Sequence, residues 1–377
     1  MNPVASSFSA TPQLDISYYH DSTNQLTIQE ITAPSFAPHF QSAPSNRLNF
    51  GISPDAYWLR LEMKSRDTKV SSWYLTVDYP PLDTVLFYQP TSEGVWLVDS
   101  VGDKISSNQE IGYRKPQFPF VLNDTLPHTY YIKVRTQGTI QLPIGVLTQS
   151  TLLATVARSE IIEGLFYGAM LLMVLYNLFL FFSLREKSYL FYCLFVTSNT
   201  FMLAGLQGQL TTYFFLSYQR YDQIFISSLF SAVFWALIFG MSFLQVRQYA
   251  PRMYTILLVS IIASGTAFFL SYIIPYQWGA KLVATLVSIA PIILWWTGIT
   301  SWRNGNTSAR FFVFAWTFYL ISVVLISLRN FGWIDELFHL ENIIQIGSVI
   351  EAILLSLALA DKINLFRAEK IEAQQRA

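Results

Sequence analysis

Seven stretches of mostly apolar residues follow one another after residue 160, at 161–183, 188–206, 223–245, 253–274, 280–301, 310–329 and 341–360. A bilayer core ~30 Å thick is crossed by ~20 apolar helical residues, so each stretch is long enough to span. The polar punctuation between several of them is short, as in LREKS (184–188), RQYAPRM (247–253) and SWRNGNTSAR (301–310). Loops of this length force neighbouring helices to run antiparallel. A membrane bundle of seven helices is therefore the first expectation, and a single soluble globule is excluded.

Charge gives the bundle a direction. The formal net charge is zero, from 24 Lys/Arg and 24 Asp/Glu, but the zero averages unlike regions. Residues 1–160 hold 11 basic and 14 acidic side chains, residues 161–360 hold 9 and 7, and residues 361–377 hold 4 and 3. One side of the bundle receives Arg185, Lys187, Arg247, Arg252, Arg303, Arg310, Lys362, Arg367, Lys370 and Arg376. The other receives Arg220, Lys281 and Arg329, so the count is ten against three. Lys and Arg in short loops stay in the cytoplasm, which places the N-terminal region outside and the C-terminus inside. Tyr213, Phe214, Phe215, Tyr218, Tyr221, Tyr276, Trp278, Phe331 and Trp333 gather at the outer helix ends, where amphipathic rings suit the headgroup level. No basic domain is present, so nucleic acid is not an expected partner. The single cysteine, Cys193, excludes both a disulfide framework and a cysteine-based zinc site. Residues 1–30 contain no apolar leader, so no signal peptide is expected within them.

Before the bundle the apolar period changes to two, which is the strand signature. Tyr57, Leu59, Leu61 and Met63 alternate with Trp58, Arg60 and Glu62, and Tyr130, Ile132 and Val134 share one face. The other expected strands are 14–20, 25–31, 46–50, 72–79, 83–89, 95–101, 117–122 and 140–147, many of them separated by turn clusters such as YPPLD, TSEG and NDTLP. About ten short strands without a helical pattern predict a β-sandwich or jelly roll. Its outer polar and aromatic set holds Trp58, Arg60, Tyr88, Arg114 and Arg135. Flat rings stack on sugar faces and guanidinium forks bind oxyanions, so this set is the candidate ligand site, set against an ordinary sheet surface. Asp78, Asp83, Asp99, Asp103 and Asp124 sit at strand ends, but without a D-x-D-x-D loop they read as turn-formers. No metal and no cofactor are expected.

Enzyme chemistry finds little to work with. The seven apolar stretches contain no His and no Asp, and no HExxH, GxSxG or phosphate-binding glycine loop with Lys occurs. Glu163 lies near the outer end of the first stretch and Glu351 midway along the last. A carboxyl inside a membrane is costly, which makes it a candidate for a proton contact, a ligand contact or a switch element. The plain alternative is a structural acid hydrogen-bonded to Asn177 or Asn199, which also lie in the stretches.

At these residues the chain resembles a known family. The first hairpin reads EGLFYGAMLLMVLYNLFLFFSLREKSYLFYCLF (163–195), and the last span with its exit reads EAILLSLALADKINLFRAEK (351–370). Gly164, Tyr167, Gly168, Tyr176, Asn177, Tyr189 and Tyr192, with Glu351, Ser356, Leu357, Ala358, Leu359, Ala360 and Asp361, resemble the bacterial seven-transmembrane receptors with diverse intracellular signalling modules. LNFGISPDAYWLRLEM (48–63), WYLTVDYPPLDTVLFYQP (73–90) and YYIKVRTQGTIQLPIGV (130–146) are similar to that family's jelly-roll periplasmic sensor domain. The resemblance covers about residues 13–370. It implies a sensor domain for carbohydrates or related small ligands, and an effector such as a kinase or cyclase, for which no motif follows the last span.

The expected layout is a flexible N-terminus (1–12), a periplasmic jelly-roll sensor domain (13–150), a linker (151–160), a seven-transmembrane bundle (161–360) and a cytoplasmic signalling helix (361–377). Ile363, Phe366 and Ile371 can share a stripe of that last helix, which is expected to pair in a homodimer, weakly because it is short. The functional expectation is an inner-membrane receptor, not itself an enzyme, that binds an extracytoplasmic ligand and signals to a cytoplasmic effector. The alternatives are a transporter or channel with a periplasmic binding cap, which would use Glu163 and Glu351, and a scaffold that recruits a separate effector.

Overall fold

In the computed structural model, residues 12–65, 72–80, 82–91, 94–102, 115–136, 138–210, 218–274, 276–330 and 342–376 are described. The chain divides into two compact units, Met1–Ile161 with Leu206–Tyr218, and Ile162–Gly205 with Gln219–Ala377.

The first unit carries β1 (Gln13–Asp21), β2 (Gln41–Ser42), β3 (Arg47–Ile52), β4 (Ala56–Lys64), β5 (Ser72–Val77), β6 (Thr84–Pro90), β7 (Trp96–Val101), β8 (Gln117–Val121), β9 (Pro127–Arg135) and β10 (Thr139–Leu147). They form two antiparallel sheets, ordered β2-β1-β4-β9-β6-β7 and β3-β10-β5-β8. The alternation read from the sequence fixes their inner faces. Leu59, Leu61, Met63, Phe87, Ile132 and Val134 from the six-stranded sheet pack with Trp73, Leu75, Val77, Phe118, Ile140 and Leu142 from the four-stranded one. Each such side chain, fully removed from water, contributes ~1.5–3 kcal/mol.

One expected strand is not a strand. Residues 25–31 leave the sheet, and Ile28–Ile31 form a single helical turn. The cause is local: Thr27 and Glu30 make a capping box, in which Glu30 Oε2 accepts from the Thr27 backbone N–H at 2.8 Å.

The helical region runs through α1 (Gln149–Leu184), α2 (Lys187–Leu206), α3 (Tyr218–Phe243), α4 (Pro251–Leu270), α5 (Tyr276–Arg303), α6 (Ala309–Asn330) and α7 (Ile343–Arg376). Residues 151–160, expected as a linker, are the first turns of α1, which continues unbroken into the first apolar stretch. Among the described residues, six of these helices are long and apolar enough to cross a membrane, by length and composition, against the seven expected. The remaining stretch, 310–329, falls in α6, whose apolar described part is the shorter Ala309–Leu325. Side chains beyond Leu325 in that helix lie outside the described residues.

Burial separates inner helices from outer ones. The apolar windows of α2 and α3 are each 56% buried within the protein, and that of α7 50%, whereas α1 is at 17%. Phe179 and Leu165 of α1 are accordingly exposed, as lipid-facing side chains should be. The centre is aromatic. Phe195 stacks on Phe239 at 6.3 Å and on Trp316 at 6.1 Å, and Phe243 stacks on Phe312 at 5.8 Å.

Candidate functional site

Strand register decides which outer side chains share a face. Tyr19 pairs with Trp58 and Trp58 with Lys133, while Arg60 pairs with Tyr131 and Tyr131 with Tyr88. Arg135, opposite Thr84 at the strand end, continues the same alternation. Trp58, Arg60, Tyr88 and Arg135 therefore occupy one face of the six-stranded sheet, and Arg114 lies outside the described residues. The face is not the open surface that the alternation alone predicts. Trp58 is 0% exposed and stacks on Tyr88 at 5.5 Å. A second small core of Ile28, Ile31, Trp58, Tyr88 and Tyr131 covers it.

Electrostatics on this face are unusual. Lys133 Nζ lies 4.9 Å from the centre of the Trp58 ring and donates to the Leu26 carbonyl at 2.9 Å. Burial pushes this ammonium below its ordinary range, against the opposing pull of the Asp21 carboxylate. Arg60 pairs with Glu62 at 3.3 Å and lies 5.3 Å from the Phe40 ring centre. Two buried donors, Trp58 Nε1 and Arg60 Nε, have no hydrogen-bond acceptor. Each such unmet group costs ~1–3 kcal/mol, more for a charged one.

Three strand-end aspartates have partners already: Asp78 pairs with Lys115, Asp99 accepts from Gln89 Nε2 at 2.8 Å, and Asp124 accepts from His128 Nε2 at 2.8 Å. Asp103 lies outside the described residues.

The second cluster of candidates lies inside the helices, and it converges on α7. Gln345 Nε2 donates to Glu163 Oε2 of α1 at 2.9 Å. Asn199 Nδ2 of α2 donates to Ser348 Oγ at 3.4 Å. The Tyr192 hydroxyl of α2 donates to the Ala352 carbonyl at 2.7 Å. Asn177 of α1 exchanges two bonds with Ser356, at 3.0 and 3.2 Å. Positions 345, 348, 352 and 356 recur at three or four residues, so they form one stripe of α7. Along it the bonds go to α1, α2, α2 and α1. Glu351 belongs to the same helix, is 1% exposed, and its Oε1 has no hydrogen-bond partner. At the far end Lys362 Nζ donates to Ser188 Oγ at 3.4 Å and pairs with Glu186 at 3.7 Å, while Asp361 accepts from Ser308 at 3.2 Å.

Residues 159–362 match the family of seven-transmembrane proteins for diverse intracellular signalling, described as 7TM diverse intracellular signalling. Residues 13–148 match the accompanying extracellular domain, 7TMR-DISM extracellular 2. This chain belongs to the 7TMR-DISM family. It is a multi-pass membrane receptor with an extracellular N-terminal sensor domain and a signalling domain of transmembrane helices. No curated protein matches the chain.

For a 7TMR-DISM receptor the arrangement around α7 is informative. Glu163, Asn177, Asn199 and Glu351 stood out in the sequence as polar residues in apolar runs. The partners Gln345 and Ser348 did not, and Ser356 and Tyr192 were marked only by the resemblance, because nothing local shows that Ser356 meets Asn177 or that the Tyr192 hydroxyl meets the Ala352 carbonyl. Only pairing across more than a hundred residues of chain reveals them. The faint signal was the recurrence of Gln345, Ser348 and Ser356 on one helical face.

Proposed function

We propose that this receptor binds a carbohydrate-like ligand in the periplasm and passes a conformational signal through seven helices to a cytoplasmic effector. The observation that carries the reading is the hydrogen-bonded stripe joining α7 to α1 and α2 at four successive levels. The helix that follows the sensor domain and the helix that ends the bundle are thereby one mechanical pair. Lipid tails supply no hydrophobic drive between helices, so such bonds and close packing set their relative position. A ligand with unequal affinity for two arrangements of this pair shifts the population between them.

Several finer features go with this reading. The two antiparallel sheets over a shared core are in keeping with a jelly roll. Counting α6 as the seventh span puts the N-terminal domain in the periplasm and the C-terminus in the cytoplasm of a bacterial inner membrane, in line with the ten-to-three distribution of basic residues. The continuation of α7 past Ile363 is the output, paired with a second copy in a homodimer and read by an effector domain or protein. The chain itself supplies no catalytic residues in this scheme.

The test is a reporter. A cyclase joined after residue 377 should change its activity when sugars are titrated outside the membrane, and removal of residues 13–150 should abolish the response. A response that survives that removal sinks the assignment of the sensor.

A further inference from the structure

What closes the outer face of the six-stranded sheet is one stretch of chain. Residues 22–40 leave β1, turn at Asn24 with φ 59°, form the single turn Ile28–Ile31 and a 3-10 turn at Ala37–His39, and re-enter the sheet as β2. Ile28 and Ile31 bury themselves against Trp58, Tyr88 and Tyr131. Phe36 meets Tyr19 edge-on at 4.9 Å, and Phe40 lies 6.2 Å from Tyr131. A helical turn of four residues is far below the ~12–15 that hold a helix alone, so this stretch depends on the face it covers. Beneath it sit the two acceptor-less donors, Trp58 Nε1 and Arg60 Nε, two residues apart on one strand.

We propose that residues 22–40 are a strap over a closed saccharide site, and that the saccharide carries an oxyanion, such as the carboxylate of a uronate. Trp58, Tyr88 and Tyr131 form an aromatic platform suited to a sugar ring. The unmet groups are donors, and Lys133, Arg60 and Arg135 lie on the same face with Glu62 already paired to Arg60. An acceptor-rich occupant satisfies the two unmet donors, and a negative charge on it adds a counter-ion for Arg135 and for Lys133, which Asp21 now faces, as Glu62 faces Arg60. Lys133 now serves the strap, through its bond to the Leu26 carbonyl. An occupant that takes Lys133 and the platform removes the strap's anchors, so occupancy and strap closure exclude one another. The proposal rests on the reading of the β domain as the sensor and adds to it a gate and a charge preference.

The experiment uses the full chain in lipid nanodiscs with two probes, a galacturonic acid trisaccharide and the matching neutral galactose trisaccharide. Calorimetry gives affinity, and amide hydrogen exchange gives the state of residues 22–40. The acidic probe should bind at least about tenfold more tightly than the neutral one, and exchange across residues 22–40 should rise at saturation. Ile31→Ala, and independently the milder Phe36→Ala, should tighten binding about tenfold, because affinity scales with the fraction of protein already open. Trp58→Phe keeps the ring and loses the donor, so it should weaken binding about tenfold while exchange in Ala56–Lys64 stays protected. Three results overturn the proposal: strap exchange unchanged at saturation, equal affinity in wild type and both strap variants, or no binding of the acidic probe to either strap variant. A reporter that answers a sugar with no change in the strap removes the strap and leaves the sensor assignment standing.

Discussion

Asp21 sits where β1 hands over to the strap. Its carboxylate accepts from the Thr23 hydroxyl at 2.6 Å, the Thr23 backbone N–H at 3.1 Å and the Leu26 backbone N–H at 3.2 Å. Burial pushes its titration up, but these bonds and the nearby Lys133 ammonium outweigh it and hold the carboxyl below its ordinary value. A depressed folded-state value means stabilisation that is fully present above the unfolded value of ~3.9 and lost as pH falls through the folded one. Amide exchange in residues 22–31 should therefore accelerate below about pH 4, beyond the intrinsic pH dependence, and Asp21→Asn should remove that extra step. Asn177→Leu deletes both bonds to Ser356, worth about 0.6–2 kcal/mol within a membrane. It should shift the basal activity of a fused reporter and lower the thermal midpoint modestly, whereas Leu175→Ala on the lipid face should do neither. The sequence made the polarity of Asn177 and the orientation of Trp58 legible, since both follow from local period. The cover over Trp58 was not legible, because it comes from a segment some thirty residues away along the chain whose apolar residues look like one more strand.

Among the elements, α7 packs closely on α6 at Gly347, whose missing Cβ leaves room for Ser322. A Cβ there would come within 2.8 Å of Ser322 Cβ and still closer to its hydroxyl. Contact below 3.0 Å requires the backbones to part, so Gly347→Ala should destabilise the pair by about 1–3 kcal/mol. Ser322→Gly in the same chain should recover most of that loss, and a double-mutant cycle read by thermal midpoint measures the coupling. The unbroken α1 carries a second expectation. Ala157→Pro removes a helical hydrogen bond at an exposed position outside the first apolar stretch, at a cost of about 3 kcal/mol. Ligand affinity should stay within about twofold while the reporter loses its response. Element boundaries were readable wherever period and turn residues agreed, as in β4, β9 and the helix ends near Arg185 and Pro251. They failed at 25–31, where Thr27-Ile28-Gln29-Glu30 spells a capping box that a hydrophobic count alone passes over.

On the scale of the molecule, the ordering of an antiparallel β domain before a membrane bundle was visible from the change of apolar period near residue 150. Which helices are central was not, since α1 is among the most apolar and yet is largely turned outward. Apolarity in a membrane protein marks lipid contact as readily as core, so only packing tells them apart. Orientation rests on Lys and Arg. A fluorescent protein fused after residue 377 should fold and fluoresce, and alkaline phosphatase at the same point should be inactive, as expected for a cytoplasmic end; the opposite pair of results would require an even number of crossings. The single thiol of the 377 residues, Cys193, is 4% exposed in the bundle, with its Sγ 3.5 Å from the Val174 carbonyl. Buried among the helices, this sulfur is shielded from an oxidant arriving from either side and from the thiol of a second copy. Within these helices Cys193 therefore offers no accessible sulfur to a redox signal, and a stimulus is carried through them by the rearrangement of non-covalent contacts.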